Sequence, residues 1–125
     1  MANTESVAVQ MEKILDEYNE KVKEATNSSI DSVSNESVQK LRSTSPKKSG
    51  KYARGWGTKK ERGAGGISTV IVKNKVYQLT HLLENGHVIR NKKGTYGRAP
   101  GIKHIKPVED WAISELPMEI ERKLR

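Results

Sequence analysis

The chain has no cysteine and no phenylalanine, and aromatic residues make up only 5% of it. Without cysteine there is no disulfide, no cysteine-ligated zinc, no iron–sulfur cluster and no thiol nucleophile. That composition fits a reducing compartment. No apolar run approaches the ~20 residues needed to cross a bilayer. The N-terminus, MANTESVAVQMEKILDEYNEK, is acidic and periodic, where a signal peptide would be basic and then apolar. The expectation is a soluble chain made in the cytoplasm. Apolar residues are also sparse, at 34%, against ~45–50% in globular chains when glycine is counted. Ten glycines narrow that gap. A length of 125 residues predicts one domain, residues 1–125, with a thin core that finishes its burial against partners.

Acidic residues are scarce in one place. Residues 46–106 hold 15 Lys/Arg and only 2 Asp/Glu, whereas residues 1–45 hold 5 and 8, and residues 107–125 hold 3 and 5. The overall charge of +8 is therefore a strongly basic middle between two mildly acidic ends. Such a field bears on partners and not on fold.

The apolar period divides the chain the same way. From Val7 to Leu41 apolar residues recur three or four apart, through Met11, Ile14, Leu15, Tyr18, Val22, Ala25, Ile30, Val33 and Val38. This predicts a helix from about 5 to 42, within an N-terminal unit of residues 1–44. Asn3 or Thr4 is the expected N-cap, and Ser45-Pro46 the stop. Loosening is expected near Asn27–Ser29, where Ser, Asn and Asp compete for backbone hydrogen bonds. A helix of that length, on the order of 55 Å, is too long for so small a domain to cover. Part of its stripe should meet another chain.

Residues 45–106 read as a β-rich basic core with two mobile loops. Tyr52 to Thr58 alternate like a strand, Glu61–Gly66 looks like a loop, and Ile67–Lys73 is the clearest strand. Asn74-Lys75 should turn the chain back into Val76-Tyr77. Gln78–Asn85 should be a short helix burying Leu79, Leu82 and Leu83, ended by a left-handed Gly86. His87–Ile89 is a short strand and Asn91–Gly101 a loop. Residues 107–125 form the last helix, opened by Pro107 and kinked or interrupted at Pro117. The fold class is α+β, a small mixed sheet with a long N-terminal, a short central and a C-terminal helix.

Enzyme chemistry finds little purchase. His81, His87 and His104 lack the i, i+4 spacing of a helical zinc pair. No G-x-S-x-G is present, and no Asp lies between Asp31 and Asp110 to orient a histidine. The glycine clusters lack the G-K-[ST] ending of a phosphate cradle. No catalytic residue, cofactor or metal ligand is assigned. The stronger signal is basic: Lys47, Lys48, Lys51, Arg54, Lys59, Lys60 and Arg62 in one cluster, and Arg90, Lys92, Lys93, Arg98, Lys103 and Lys106 in the other. With Tyr52, Trp56 and Tyr96 interleaved to stack on bases, these would bind nucleic acid without sequence preference. Equally, they could be solvated or face acidic protein surfaces. No DNA-reading motif accompanies them.

Two stretches carry a resemblance. Pro46-Lys47-Lys48-Ser49-Gly50-Lys51-Tyr52-Ala53-Arg54-Gly55-Trp56 follows a P-x-x-[TS]-G-x-x-x-x-x-W pattern. Tyr77-Gln78-Leu79-Thr80-His81-Leu82-Leu83-Glu84-Asn85-Gly86-His87 precedes Gly97-Arg98 and His104-Ile105-Lys106-Pro107. Together they resemble the head–tail joining, or tail-completion, proteins of long-tailed bacteriophages. The pattern departs at Ile102-Lys103, where a shorter, proline-containing approach to His104 is expected.

The resemblance implies a non-enzymatic virion protein at the head-proximal end of the tail, a ring of six through which DNA passes. Its implied partners are itself, the tail-tube protein and the head connector or stopper, with non-specific contact to genomic DNA and none to membrane. Trp56, Leu82, Leu83, Glu84, Gly86, His87, His104 and Pro107 are its structural signature. Glu84, His87 and His104 are expected to form a polar link orienting the basic loops. The rival expectation is a small basic DNA-binding protein without sequence preference.

Overall fold

A computed structural model of the chain describes residues 6–47, 50–91 and 94–125, with the side chains of 90, 91, 95 and 96 outside the description. Helix α1 (Val7–Thr44) starts at Ser6, whose hydroxyl accepts from the Val9 amide at 3.2 Å. The expected caps Asn3 and Thr4 lie outside the described residues. No break occurs at Asn27–Ser29. Asn27 is occupied elsewhere: its amide donates to Gly66 O at 3.0 Å and its oxygen accepts from Ser68 N at 2.9 Å. A side chain held by tertiary partners no longer competes with the helix backbone. Ser45 then adopts an extended conformation ahead of Pro46 and ends the helix.

The strand expected from Tyr52 begins late. Lys51–Arg54 form a single helical turn, α2, burying Tyr52 and Ala53, and strand β1 runs from Trp56 to Arg62. Adjacent buried residues belong to a helical turn, and this one, flanked by Gly50 and Gly55, is too short to show a period. Glu61 and Arg62 accordingly lie in a strand and not in a loop. Strand β2 (Ser68–Asn74) pairs antiparallel with β1, from Trp56 opposite Asn74 to Arg62 opposite Ser68. Along β2, Ser68, Val70 and Val72 are half-buried while Thr69, Ile71 and Lys73 are exposed, the alternation of a one-sided sheet.

Asn74 sets the path of the chain beyond β2. Its side-chain oxygen accepts from Val76 N and its amide donates to Tyr52 O, both at 2.8 Å. That turn leads to a 3₁₀ turn at Tyr77–Leu79 and helix α3 (Thr80–Asn85), so the return strand at Val76-Tyr77 does not form. Leu83 packs against the core, but Leu79 and Leu82 are exposed. A six-residue helix lying on the surface covers only one of its sides.

Strands β3 (His87–Asn91) and β4 (Gly94–Ala99) form a second antiparallel hairpin, irregular between Val88 and Arg90. Most of the expected loop at Asn91–Gly101 is thus strand. Helix α4 (Ile105–Leu124) places Pro107 in its first turn, where a missing N–H costs nothing. It continues through Pro117 without a break. Pro117 is exposed, so water can reach the carbonyl that its ring leaves without a partner.

The α+β class and the three expected helices are present, with the strands arranged as two separate hairpins. The core gathers Val38 and Leu41 of α1, Tyr52, Trp56 and Val108, flanked by Val72, Val76, Leu83 and Ile105. Its α1 members, Val38 and Leu41, lie in the C-terminal half of that helix. Residues 7–20 of the same helix are exposed throughout.

Candidate functional site

Three distant pieces of chain converge on one histidine. His104 is 1% exposed, and its Nε2 lies 2.8 Å from the Tyr52 hydroxyl. Its Nδ1 lies 2.7 Å from Ile102 O and 3.0 Å from Glu84 Oε1. Both neighbours of Nδ1 are acceptors, so that nitrogen carries a proton. In the neutral ring, Nε2 then accepts from the tyrosine. The Tyr52 and Trp56 rings meet the imidazole edge-on, with centroids 5.5 and 6.4 Å away.

Glu84 supports this centre from α3. Its Oε1 accepts from the amides of His104 and Ile105 at 2.8 and 2.9 Å, and its Oε2 from Lys106 N at 3.0 Å. A carboxylate from one helix therefore caps another, satisfying orphan donors at the positive end of its dipole. Burial alone would push the Glu84 carboxyl up. The three amides and the His104 ring together outweigh it, so the group titrates below its ordinary range. Burial, with the Glu84 charge second, pushes Tyr52 up to about 12. The tyrosine thus stays a donor.

Trp56 is fixed in the same way. Its Nε1 donates to Ser45 Oγ at 2.8 Å, and its carbonyl accepts from Arg42 Nη2 at 2.9 Å. The spacing from Pro46 to Trp56 is thereby explained: the chain leaves α1 at Ser45, turns once through α2 and returns its indole to the residue it left. Nothing in the apolar period singled out Ser45, Arg42 or Asn74, since their partners are set by packing.

Gly86 ends α3 as expected, though not in the left-handed helical conformation. Its φ is +81° but its ψ is 171°, outside the left-handed helical region. A Cβ there would lie 2.5 Å from Ala99 O and 2.8 Å from Gly101 N. The end of α3 is pressed against backbone 99–101, and further bonds hold it: Ile102 N to Leu83 O at 2.8 Å, Arg98 Nη2 to Asn85 O at 3.1 Å and Lys103 Nζ to Asn85 Oδ1 at 2.6 Å. His87 does not join Glu84. It lies in β3 opposite Ala99, and its buried Nδ1 has no hydrogen-bond partner among the described residues.

The buried cluster offers no exposed reactive group, and no set of side chains among the described residues could hold a metal ion. Tyr52 and Trp56 are buried and cannot stack on bases as expected. The described basic side chains do reach solvent, but they are distributed differently from their order in the chain. Lys47 and Arg54 lie with Arg42 along one concavity, and Arg54 and Arg42 also line another, of about 430 Å³, with Lys73 and Lys75. Lys51 is exposed on α2. Lys59, Lys60 and Arg62 run along β1, with Lys60 3.1 Å from Asp31 and Lys59 3.4 Å from Glu61. Lys106 lies 2.9 Å from Asp110. Exposed pairs of this kind contribute little stability. Lys48, Lys92 and Lys93, and the side chains of Arg90 and Tyr96, lie outside the described residues.

The remaining feature is the exposed end of α1. Val7, Ile14 and Leu15 are 70%, 64% and 57% exposed, on the stripe that becomes buried from Ala25 onward. Compared with known families, residues 9–86 match the family described as "Bacteriophage HK97-gp10, putative tail-component". The chain belongs to that family. It is a phage tail component, a structural protein of the virion. The match spans α1 to α3 and includes Tyr52, Trp56 and Glu84, while His104 and α4 lie beyond it. Comparison with curated proteins and with solved structures gives no match in either case. No helix among the described residues is long and apolar enough to cross a membrane.

Proposed function

We propose that this tail component is the tail-completion subunit. It forms a ring, of six copies on the family resemblance, at the head-proximal end of the tail tube. The ring joins the tube to the head connector and lets the genome pass. The observation that carries this reading is the unpartnered apolar stripe on residues 7–20 of α1. A monomer gains nothing by holding it in water, whereas a closed head-to-tail ring covers every copy of it. The buried Tyr52–His104–Glu84 cluster is the rigid mount that fixes α2, α3 and the start of α4. The basic concavities around Arg42 and Arg54 suit acidic surfaces of the tube or connector.

Immunogold labelling of virions tests the placement, with negative-stain imaging of the purified protein alongside. Label at the neck and ring-shaped particles are expected. Label along the tube or at the distal tip would refute the placement.

The same cations favour one rival, a sequence-independent DNA binder. Multiple phosphate contacts would give that protein a steep fall in duplex affinity with salt. Binding by the tail-completion subunit should instead be negligible near physiological ionic strength.

A further inference from the structure

The structure contains both halves of a contact that its own chain cannot make. One half is the N-terminal extension of α1, whose apolar residues Val7, Met11, Ile14, Leu15 and Tyr18 are all exposed. The other is an apolar groove of about 410 Å³ between α1, β2 and α4, lined by Ile30, Val33, Val70, Val72, Ile113 and Leu116 among others. The extension is continuous with the helix that forms one wall of the groove, so it cannot fold back into it.

We propose that the N-terminal extension of one copy docks in the α1–β2–α4 groove of the next. Charge selects this occupant. Residues 7–20 carry Glu12, Asp16, Glu17 and Glu20 against Lys13. The β1–β2 hairpin beside the groove carries Lys59, Lys60, Arg62 and Lys73 against Glu61. Ser68 lines both the groove and the adjoining concavity formed by Lys60, Glu61, Arg62 and Gly66. An acidic apolar helix laid along the groove meets the basic strand edge, whereas two extensions packed on each other would set like charges side by side. Because donor and acceptor surfaces differ, the contact is head-to-tail and repeats from copy to copy. The inference rests on the self-assembly proposed above and names the surfaces that perform it.

The absence of cysteine makes the test clean. Full-length Leu15→Cys, carrying an affinity tag, is mixed with untagged Ile113→Cys under mild oxidation, and the double variant is oxidised alone. The expected products are mixed Leu15→Cys/Ile113→Cys dimers in the first case and a ladder of covalent oligomers in the second. Predominance of Leu15→Cys homodimers would overturn the proposal in favour of paired extensions. If particles assemble but neither cross-link forms, the groove assignment is wrong while the ring reading stands. A wild-type chain that remains monomeric at every accessible concentration would overturn both.

Discussion

The hydroxyl of Tyr52 and Nε2 of His104, 52 residues apart in the chain, lie 2.8 Å from each other inside the protein. Each is the other's hydrogen-bond partner, and both residues are buried. Tyr52→Phe therefore strands the imidazole nitrogen and should cost about 1–3 kcal/mol. Urea unfolding at neutral pH would measure it, and an unchanged midpoint would refute the pairing.

The same pair has an alkaline signature. Tyr52 titrates at about 12 where an ordinary tyrosine titrates at 10.0. A raised folded-state value means that the contribution is complete below pH 10 and is lost as pH rises through 12. Ultraviolet titration of the folded protein should show a late tyrosine transition that Tyr52→Phe lacks. A transition lost from the region of pH 10 in Tyr52→Phe, with no late one lost, would contradict this.

Glu84 governs the acid side. Its carboxyl titrates below the ordinary 4.5, so the unfolded chain takes up the proton first as pH falls. Its stabilisation is complete above that ordinary value and is lost as pH drops through the lower folded value. Glu84→Gln should cost about 1–3 kcal/mol at neutral pH and flatten the acid slope of stability. Unfolding midpoints from pH 3 to 6 for both proteins would check it. Parallel slopes, with assembly unchanged, would end the assignment.

At Gly86 an added methyl meets backbone on two sides, Ala99 O and Gly101 N. With φ also positive, Gly86→Ala should destabilise by more than about 1 kcal/mol. A fully stable variant, by thermal denaturation, would show that backbone 99–101 gives way easily.

The exposed end of α1 separates folding from assembly. Ile14→Ser with Tyr18→Ser should leave monomer stability within about 0.5 kcal/mol and abolish self-association measured by sedimentation. Leu41→Ala, in the core, should instead cost about 2–5 kcal/mol. Equal losses of stability from both would mean that residues 7–20 already belong to the folded core.

Elements with a period of their own are legible in the sequence, whereas contacts between distant residues are not. Helix α1, strand β2 and helix α4 announce themselves because their apolar residues repeat at the period of one element. Tyr52 misled for the opposite reason, since a single helical turn between glycines has no period to show. Strand β4 carries no such signal, because Gly94 and Gly97 leave it no continuous β-branched run. His104 and Glu84 are visible as a motif, but His87, grouped with them by spacing, has a buried Nδ1 with no hydrogen-bond partner among the described residues.

Sequence alone determined the α+β order of elements, the basic middle, the exclusion of thiol and disulfide chemistry, and a helix too long for the rest of the chain to cover. These come from local period and composition, which need no knowledge of the fold. Tertiary structure alone decided that Glu84 caps α4, that Ser45 holds Trp56, and that an open groove lies beside the basic hairpin. Each of those depends on which surfaces meet, and that is set by packing the whole chain at once.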